Sequence, residues 1–366
     1  LDAALAGVAD DELTITLALS DTRLPDHLRM GAELWGQRDG EPVPVCWLGG
    51  MVVPSATSGD ATLDLALHAD WVAHAGAAAP FTLRHLRLED PDHHVAFAGV
   101  DEIAIDVPRE IVDRPAPPAV TPAMLTGRLD PRRTVAVPAG IAPRDFGAHN
   151  LMLVHGYCAG GNPFPTSHFS GALEIFGDPN QTRSQDEFAL LIASLGSQSK
   201  SYGVVAHSQG GLATLHLYTY YWSGLDWARG PRLIQSLGSP YQGTALAGNL
   251  AGLGEVFGTG CGENYDMTYD GAAAWLSGIP TWARQRVNYH TTSFNDPPFS
   301  YDYCNFATDF FLTDPEDGVV EQWAGQLPGA VNRGHVTGWC HTTGMRDPAQ
   351  YTDASRNATM NQEAAR

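Results

Sequence analysis

One lysine, Lys200, serves the whole chain of 366 residues; every other basic side chain is an arginine, and 21 basic residues stand against 41 acidic ones. The formal net charge is therefore -20, which repels a phosphate backbone and makes nucleic acid a poor partner. No apolar run approaches the ~18 residues a membrane-spanning helix needs, and no basic-then-apolar leader stands at the amino end. The sequence opens LDAALAG without an initiator methionine, from which we expect that a leader or tag has been removed. Cysteine is scarce as well. Cys46, Cys158, Cys261, Cys304 and Cys340 include no CxxC pair and no metal-ligand spacing, so no zinc site is expected. Four of the five lie after residue 150. One or two disulfides there, Cys304 with Cys340 first among them and Cys46 left over, would suit a secreted protein; the alternative is five buried thiols in a cytoplasmic one.

What is present describes a folded chain. Hydrophobic residues make up 43% and charged ones only 17%, which excludes disorder as the dominant state. The length suits two domains. From residue 11 to about 107, segments such as LTITLAL, PVCWLGGMVV, TLDLALHADWV and FTLRHLRLED alternate with period two and are bounded by Gly, Asp or Pro. About seven such strands imply an antiparallel β-sandwich. The adjacent His93 and His94 would point to opposite faces of a strand and are read as loop or surface residues.

Residues 108–143 hold eight prolines, a stiff composition that places the domain junction there. The division expected is a sandwich over 1–113, a linker over 114–143 and a second domain over 144–366, with RTVAVPAG as a possible edge strand of the latter. After residue 148 the pattern becomes strand, loop, helix, strand, helix. NLMLVHG, YGVVAHS and PRLIQSLGSP are buried parallel-type strands, and Ser184 with Glu187 matches a capping box at a helix start. The class is α/β, a mostly parallel sheet with helices on both faces.

In YGVVAHSQGGLATL, residues 202–215, Ser208 stands where a buried strand becomes a helix without an intervening loop. So abrupt a turn forces strained angles on its central residue and needs small neighbours two positions either side, here Ala206 and Gly210. It lifts the hydroxyl above the carboxyl edge of the sheet, where open α/β sheets bind ligands, next to a helix amino end that favours negative charge.

The segment AHSQGG resembles the nucleophile elbow of the α/β-hydrolase superfamily, with alanine at the first small position, and the preceding histidine is similar to that of bacterial lipases and esterases. LVHGYCAGGNPFP, residues 153–165, resembles their His-Gly oxyanion loop, and QSLGSPYQGT, residues 235–244, their strand-end signature leading to a lid. The resemblance implies oxyanion donors at the amide of Gln209 and at that of Tyr157 or Gly156. His155 is expected to support the loop by hydrogen bonding. Residues 245–280, apolar and punctuated by glycine, read as a lid or as an ordinary pair of packing helices.

A serine hydroxyl needs an imidazole and an orienting carboxylate to attack an ester. In the hydrolase order both must follow Ser208, which leaves His216, His290, His335 and His341. His216 lies on the helix after the elbow, facing away; His290 falls in or at the end of a strand before the best acid. His335 and His341 both stand in loop-like sequence, with His341 preferred as base and His335 as the alternative. TDPEDGVV, residues 313–320, resembles the Asp-Gly-x-Val loop of many lipases and nominates Asp317 over Asp314, with Asp309 remaining. Aspartate-rich stretches such as NDPPFSYDYC leave calcium as an option beside solvated loops; no other cofactor is expected.

The resemblance thus implies a secreted serine hydrolase cleaving carboxylic esters, of lipid or polyester type, through Ser208, His341 and Asp317 and an acyl-enzyme; amide cleavage is open to the same residues. The alternative is a secreted binding or signalling protein in which a hydrolase fold is scaffold only.

Overall fold

The computed structural model describes residues 3–9, 11–19, 28–52, 55–57, 60–90, 95–118, 121, 124, 148–157, 159, 161–178, 183–247, 264–295 and 311–366. They form two compact units: residues 1–140 with 273–280, and residues 141–272 with 281–366.

Among its described residues the first unit holds eight strands, β1 (Ala3–Ala9), β2 (Glu12–Leu19), β3 (Leu28–Arg38), β4 (Glu41–Val52), β5 (Ser55–Thr57), β6 (Asp60–His68), β7 (Ala78–Asp90) and β8 (Val95–Ile105), with short helices α1 (Asp70–His74) and α2 (Arg109–Val112). They make two antiparallel sheets of order β1-β2-β6-β5 and β4-β3-β7-β8. The period-two pattern is the cause: in β2, Leu13, Ile15, Leu17 and Leu19 are buried while their neighbours are half-buried, and they meet Leu34, Leu65 and Leu83 in one core. Asp39 and Gly40, both at positive φ, turn β3 into β4. One segment departs from the expected pattern. In TLDLALHADWV the strand stops at His68 and Asp70–His74 is helical, because Trp71 and Val72 are both buried and adjacent residues of a strand cannot share a face. The Trp71 indole donates to the Met124 carbonyl at 2.7 Å.

The second unit is built on six parallel strands: β9 (His149–Val154), β10 (Leu173–Ile175), β11 (Ser201–His207), β12 (Ile234–Leu237), β13 (Val287–Ser293) and β14 (Val331–Thr337). Their order is β10-β9-β11-β12-β13-β14, all neighbours parallel. Among the described residues the helices that follow in the chain are α3 (Gln185–Gly196), α4 (Gln209–Tyr220), α5 (Tyr269–Ser277), which runs across the division after residue 272, α6 (Thr281–Arg284) and α7 (Ala354–Glu363). Leu151, Leu153, Val205 and Leu237 cluster with Met360 of α7 and Ala364 just after it, whereas a side chain at Gly210 of α4 would strike Val154 on the other face. Within residues 245–280, residues 248–263 fall outside the described set and α5 occupies the end. RTVAVPAG, His93, His94 and Asp309 also fall outside it, as do Cys158, Cys261 and Cys304, and with Cys304 the expected disulfide. Cys46 is a buried free thiol in the sandwich core, and burial raises its pKa. No helix among the described residues is long and apolar enough to cross a membrane.

Helix α3 starts as expected. The Ser184 hydroxyl accepts from the Glu187 amide at 3.2 Å while the Glu187 carboxylate accepts from the Ser184 amide at 3.0 Å. Ser184→Ala should lower the unfolding free energy by about 1 kcal/mol, measured by urea denaturation, with a smaller loss if Gly takes the position.

Candidate functional site

Every residue of β11 is buried, and the chain leaves it through Ser208, at φ 55° and ψ -133°, directly into α4. The positive φ is the strain expected of so abrupt a turn. Its neighbours must be small for measurable reasons. A Cβ on Gly210 would stand 2.4 Å from the His155 carbonyl, and one on Gly156 would stand 2.3 Å from the Ser208 Cβ and 2.9 Å from its hydroxyl. The backbone of the His-Gly loop therefore lies directly against the serine. His155 holds that loop: its Nε2 accepts from the Asp178 amide at 2.9 Å, so Nδ1 carries the proton and donates to the Gly156 carbonyl at 2.8 Å. Burial lowers the His155 pKa. The Gln209 side chain donates to the Arg183 carbonyl at 2.8 Å, and the half-buried Tyr157 phenol is pushed up to about 12 by desolvation.

Asp317 is 1% exposed. Its Oδ1 accepts from the amides of Val319 and Val320 at 3.0 and 2.8 Å, and its Oδ2 from the Gln350 side chain at 2.9 Å. A carboxylate that accepts throughout obliges His341 Nδ1, 2.9 Å from Oδ2, to be the donor. The ring is anchored further by its own amide, which donates to the Asp317 carbonyl. The structure thus brings together Asp317 and His341, while Asp314 is exposed. Ser208 follows His207, whose ring lies 4.5 Å from that of His341. Among the described residues, however, the Ser208 hydroxyl makes no hydrogen bond to either late histidine.

The other histidines are engaged elsewhere. His335 is on β14 and not in a loop, with Nδ1 3.1 Å from the Thr291 hydroxyl and Nε2 3.1 Å from that of Ser293. Buried His216 pairs with Asp186 at 3.0 Å and packs α4 onto α3. His290 lies on β13, 8% exposed. Burial, then the cations of Arg356 and Arg333, press it down to about 3. Of the acids near Asp317, Glu316 accepts from the Gly318 amide and Glu321 from the Thr313 amide and the Tyr269 hydroxyl. No group of three or more His, Cys, Asp or Glu among the described residues is placed to hold a metal ion. Sequence reasoning missed Gln350, wholly buried and within hydrogen-bond reach of Asp317, His341 and His207. No motif marks it.

Residues 146–364 match the family described as Conditioned medium factor C-terminal domain, and residues 29–128 match Conditioned medium factor 3rd Ig-like domain. Over 347 residues, 90% of the chain, the sequence is 38% identical to Conditioned medium factor of Dictyostelium discoideum, of which it spans 48%. Two solved structures of the phospholipase PlaB from Legionella pneumophila, one with thio-NAD, align at 14% identity with TM-scores of 0.34 and 0.37, over 49% and 50% of this chain and 44% and 45% of theirs. Likeness at that level carries no weight. The family matches overturn the assignment to the α/β-hydrolase superfamily, and with it the expected ester hydrolase and its lipase and triad roles. The physical reason is that a strand-to-helix turn with small neighbours is a local backbone feature, so the motif specifies a turn and does not by itself specify a reaction.

His155, His207 and His290 are all held below the ordinary 6.5, chiefly by burial. As pH falls through 6.5 the unfolded chain takes up protons that the folded chain refuses, so stability is complete above that value and declines toward pH ~3. Urea unfolding between pH 7 and 4 should register the decline, and His290→Leu should flatten it by up to ~1.4 kcal/mol per pH unit. An unchanged slope would mean that His290 is not buried as a neutral ring.

Proposed function

The chain belongs to the conditioned medium factor family, and on that premise we propose that it is a secreted binding or signalling factor whose parallel-sheet unit serves as scaffold, not catalyst. One observation carries the reading: the 38% identity to the Dictyostelium factor runs across 347 residues, through the sandwich and the parallel-sheet unit alike. The chain spans about half the length of that relative, 48%. Its partner is a molecule compatible with a net charge of -20, which again disfavours nucleic acid.

Within the scaffold, Ser208, Asp317 and His341 line a recognition pocket at the carboxyl edge of the sheet, the usual place for a ligand in an open α/β sheet. The amides of Gln209 and of Tyr157 or Gly156 are its main-chain donors. The pocket has hydrogen-bonding groups in plenty, and the His341 ring is held by Asp317 through Nδ1.

Two measurements test the reading. Expressed with its natural flanking sequence, the protein should be recovered from the culture medium, and the purified chain should bind cells of its source saturably. Incubated with p-nitrophenyl esters of short and long acyl chains and with a fluorophosphonate, it should give neither turnover nor a label on Ser208. Ser208→Ala should weaken binding by about two- to tenfold, the worth of one hydrogen bond. Ester turnover abolished by that substitution would overturn the proposal.

A further inference from the structure

We propose that Gln350 is the positioning residue of this pocket: its single side-chain amide holds the Asp317 carboxylate behind His341 and at the same time fixes His207 as a neutral ring with Nε2 turned toward it. The inference deepens the recognition reading and rests on it for its consequence in binding; the geometry can be tested without it.

Gln350 is 0% exposed, in the segment between the His341 loop and α7. Its backbone is fixed at both ends. The amide donates to the Cys340 carbonyl at 2.8 Å, and the carbonyl accepts from the Arg356 guanidinium at 3.1 Å. The side chain has one arrangement that satisfies its surroundings. Oε1 accepts from the Thr292 hydroxyl at 2.7 Å, and Nε2 faces Asp317 Oδ2 at 2.9 Å and His207 Nε2 at 3.3 Å. Turning the amide over would set its oxygen against the carboxylate, which offers no proton. With Nε2 toward Asp317, one amide hydrogen goes to the carboxylate and the second to His207 Nε2, which must then be an acceptor. His341 Nδ1, 3.2 Å from the same nitrogen, has its own proton committed to Asp317.

Two further observations agree. Gly238, at φ 58°, leaves the space the amide fills: a Cβ there would stand 2.1 Å from Gln350 Nε2. Burial, and then the neighbouring His341, drive the His207 pKa well below 6.5, in keeping with a neutral acceptor ring. His207 is further enclosed by Tyr351, whose ring lies 5.1 Å away. Gln350 therefore joins the ends of β11, β12 and β13 to the Asp317 and His341 loops, so that two histidines beside Ser208 present set tautomers to whatever enters.

Histidine-selective 1H–15N NMR of the full chain tests this. In the native protein His207 should be a single neutral tautomer with unprotonated Nε2, and the His341 Nδ1 proton should exchange slowly. Gln350→Met, which keeps the length and removes the amide, should release the His207 tautomer and speed that exchange at least about fivefold, one hydrogen bond's worth. His155 and His216, bonded to Gly156, Asp178 and Asp186, should not move and report that the fold is intact. Unchanged His207 and His341 signals in folded Gln350→Met overturn the proposal. Should that variant fail to fold, Thr292→Val, which unpins Oε1 alone, decides: movement of His207 and His341 supports it, and their immobility overturns it. Ester hydrolysis by the chain would refute the scaffold reading and leave these spectra as predicted.

Discussion

The close approach of two stretches of main chain at Ser208 sets the terms for the rest of the second unit. A non-glycine residue at φ 55° stores roughly 1–3 kcal/mol, which persists only where the surroundings leave no alternative. Here β11 runs in register between β9 and β12, fixing the chain before the turn, and the Ser208 amide donates to the Leu237 carbonyl at 3.0 Å. After the turn every residue of α4 is buried, which fixes the chain again. The serine must bridge two immovable elements, and it can do so only because Gly156 and Gly210 bring no side chain to the same space.

The second constraint is polar. Burying a carboxylate in a sheet-edge loop is unfavourable unless its lone pairs are met, and Asp317 meets them with two amides, one imidazole and one glutamine. These partners come from three parts of the chain. The loop of residues 317–320 folds back on its own acid, the His341 loop docks through ring and main chain, and Gln350 brings the approach to α7. A single buried charge thereby organises three segments that no regular secondary structure joins. The same logic governs Glu321, which accepts from the Thr313 amide and the Tyr269 hydroxyl.

Much of this was legible in the sequence, for reasons that differ by element. The sandwich could be read because its strands have one wet and one dry face, as in β2; the parallel sheet because its strands are apolar throughout and alternate with capped helices, as at Ser184. Asp317 and His341 are nominated together through the resemblance of their loops to those of lipases, and the structure joins them at 2.9 Å. What failed was whatever depended on distant contacts. α1 was hidden because an alternating run passes into helix without a glycine or proline to mark the change. His335 reads as loop because β14 is an edge strand whose residues are exposed or half-buried, and it lacks the apolar run of its neighbours. Gln350 is invisible because a buried glutamine looks like a surface one until its partners, 33 and 143 residues away, are in place.

The misreading of function has the same root. Elbow, glycine loop and acid-histidine pair are arrangements of main chain and side chain that the fold can hold without fixing a reaction. Those arrangements are met before any reaction is specified, so sequence signatures that report them report architecture. The step from architecture to ester cleavage lies in one contact, the hydrogen bond that couples a serine to its base, and sequence spacing does not encode whether it forms. In this chain the histidine is held by Asp317 while the serine is held by its own backbone, and the two constraints act on separate segments. The strain at Ser208 is retained because relaxing it would require β11 and α4 to part, a larger loss than the strain itself.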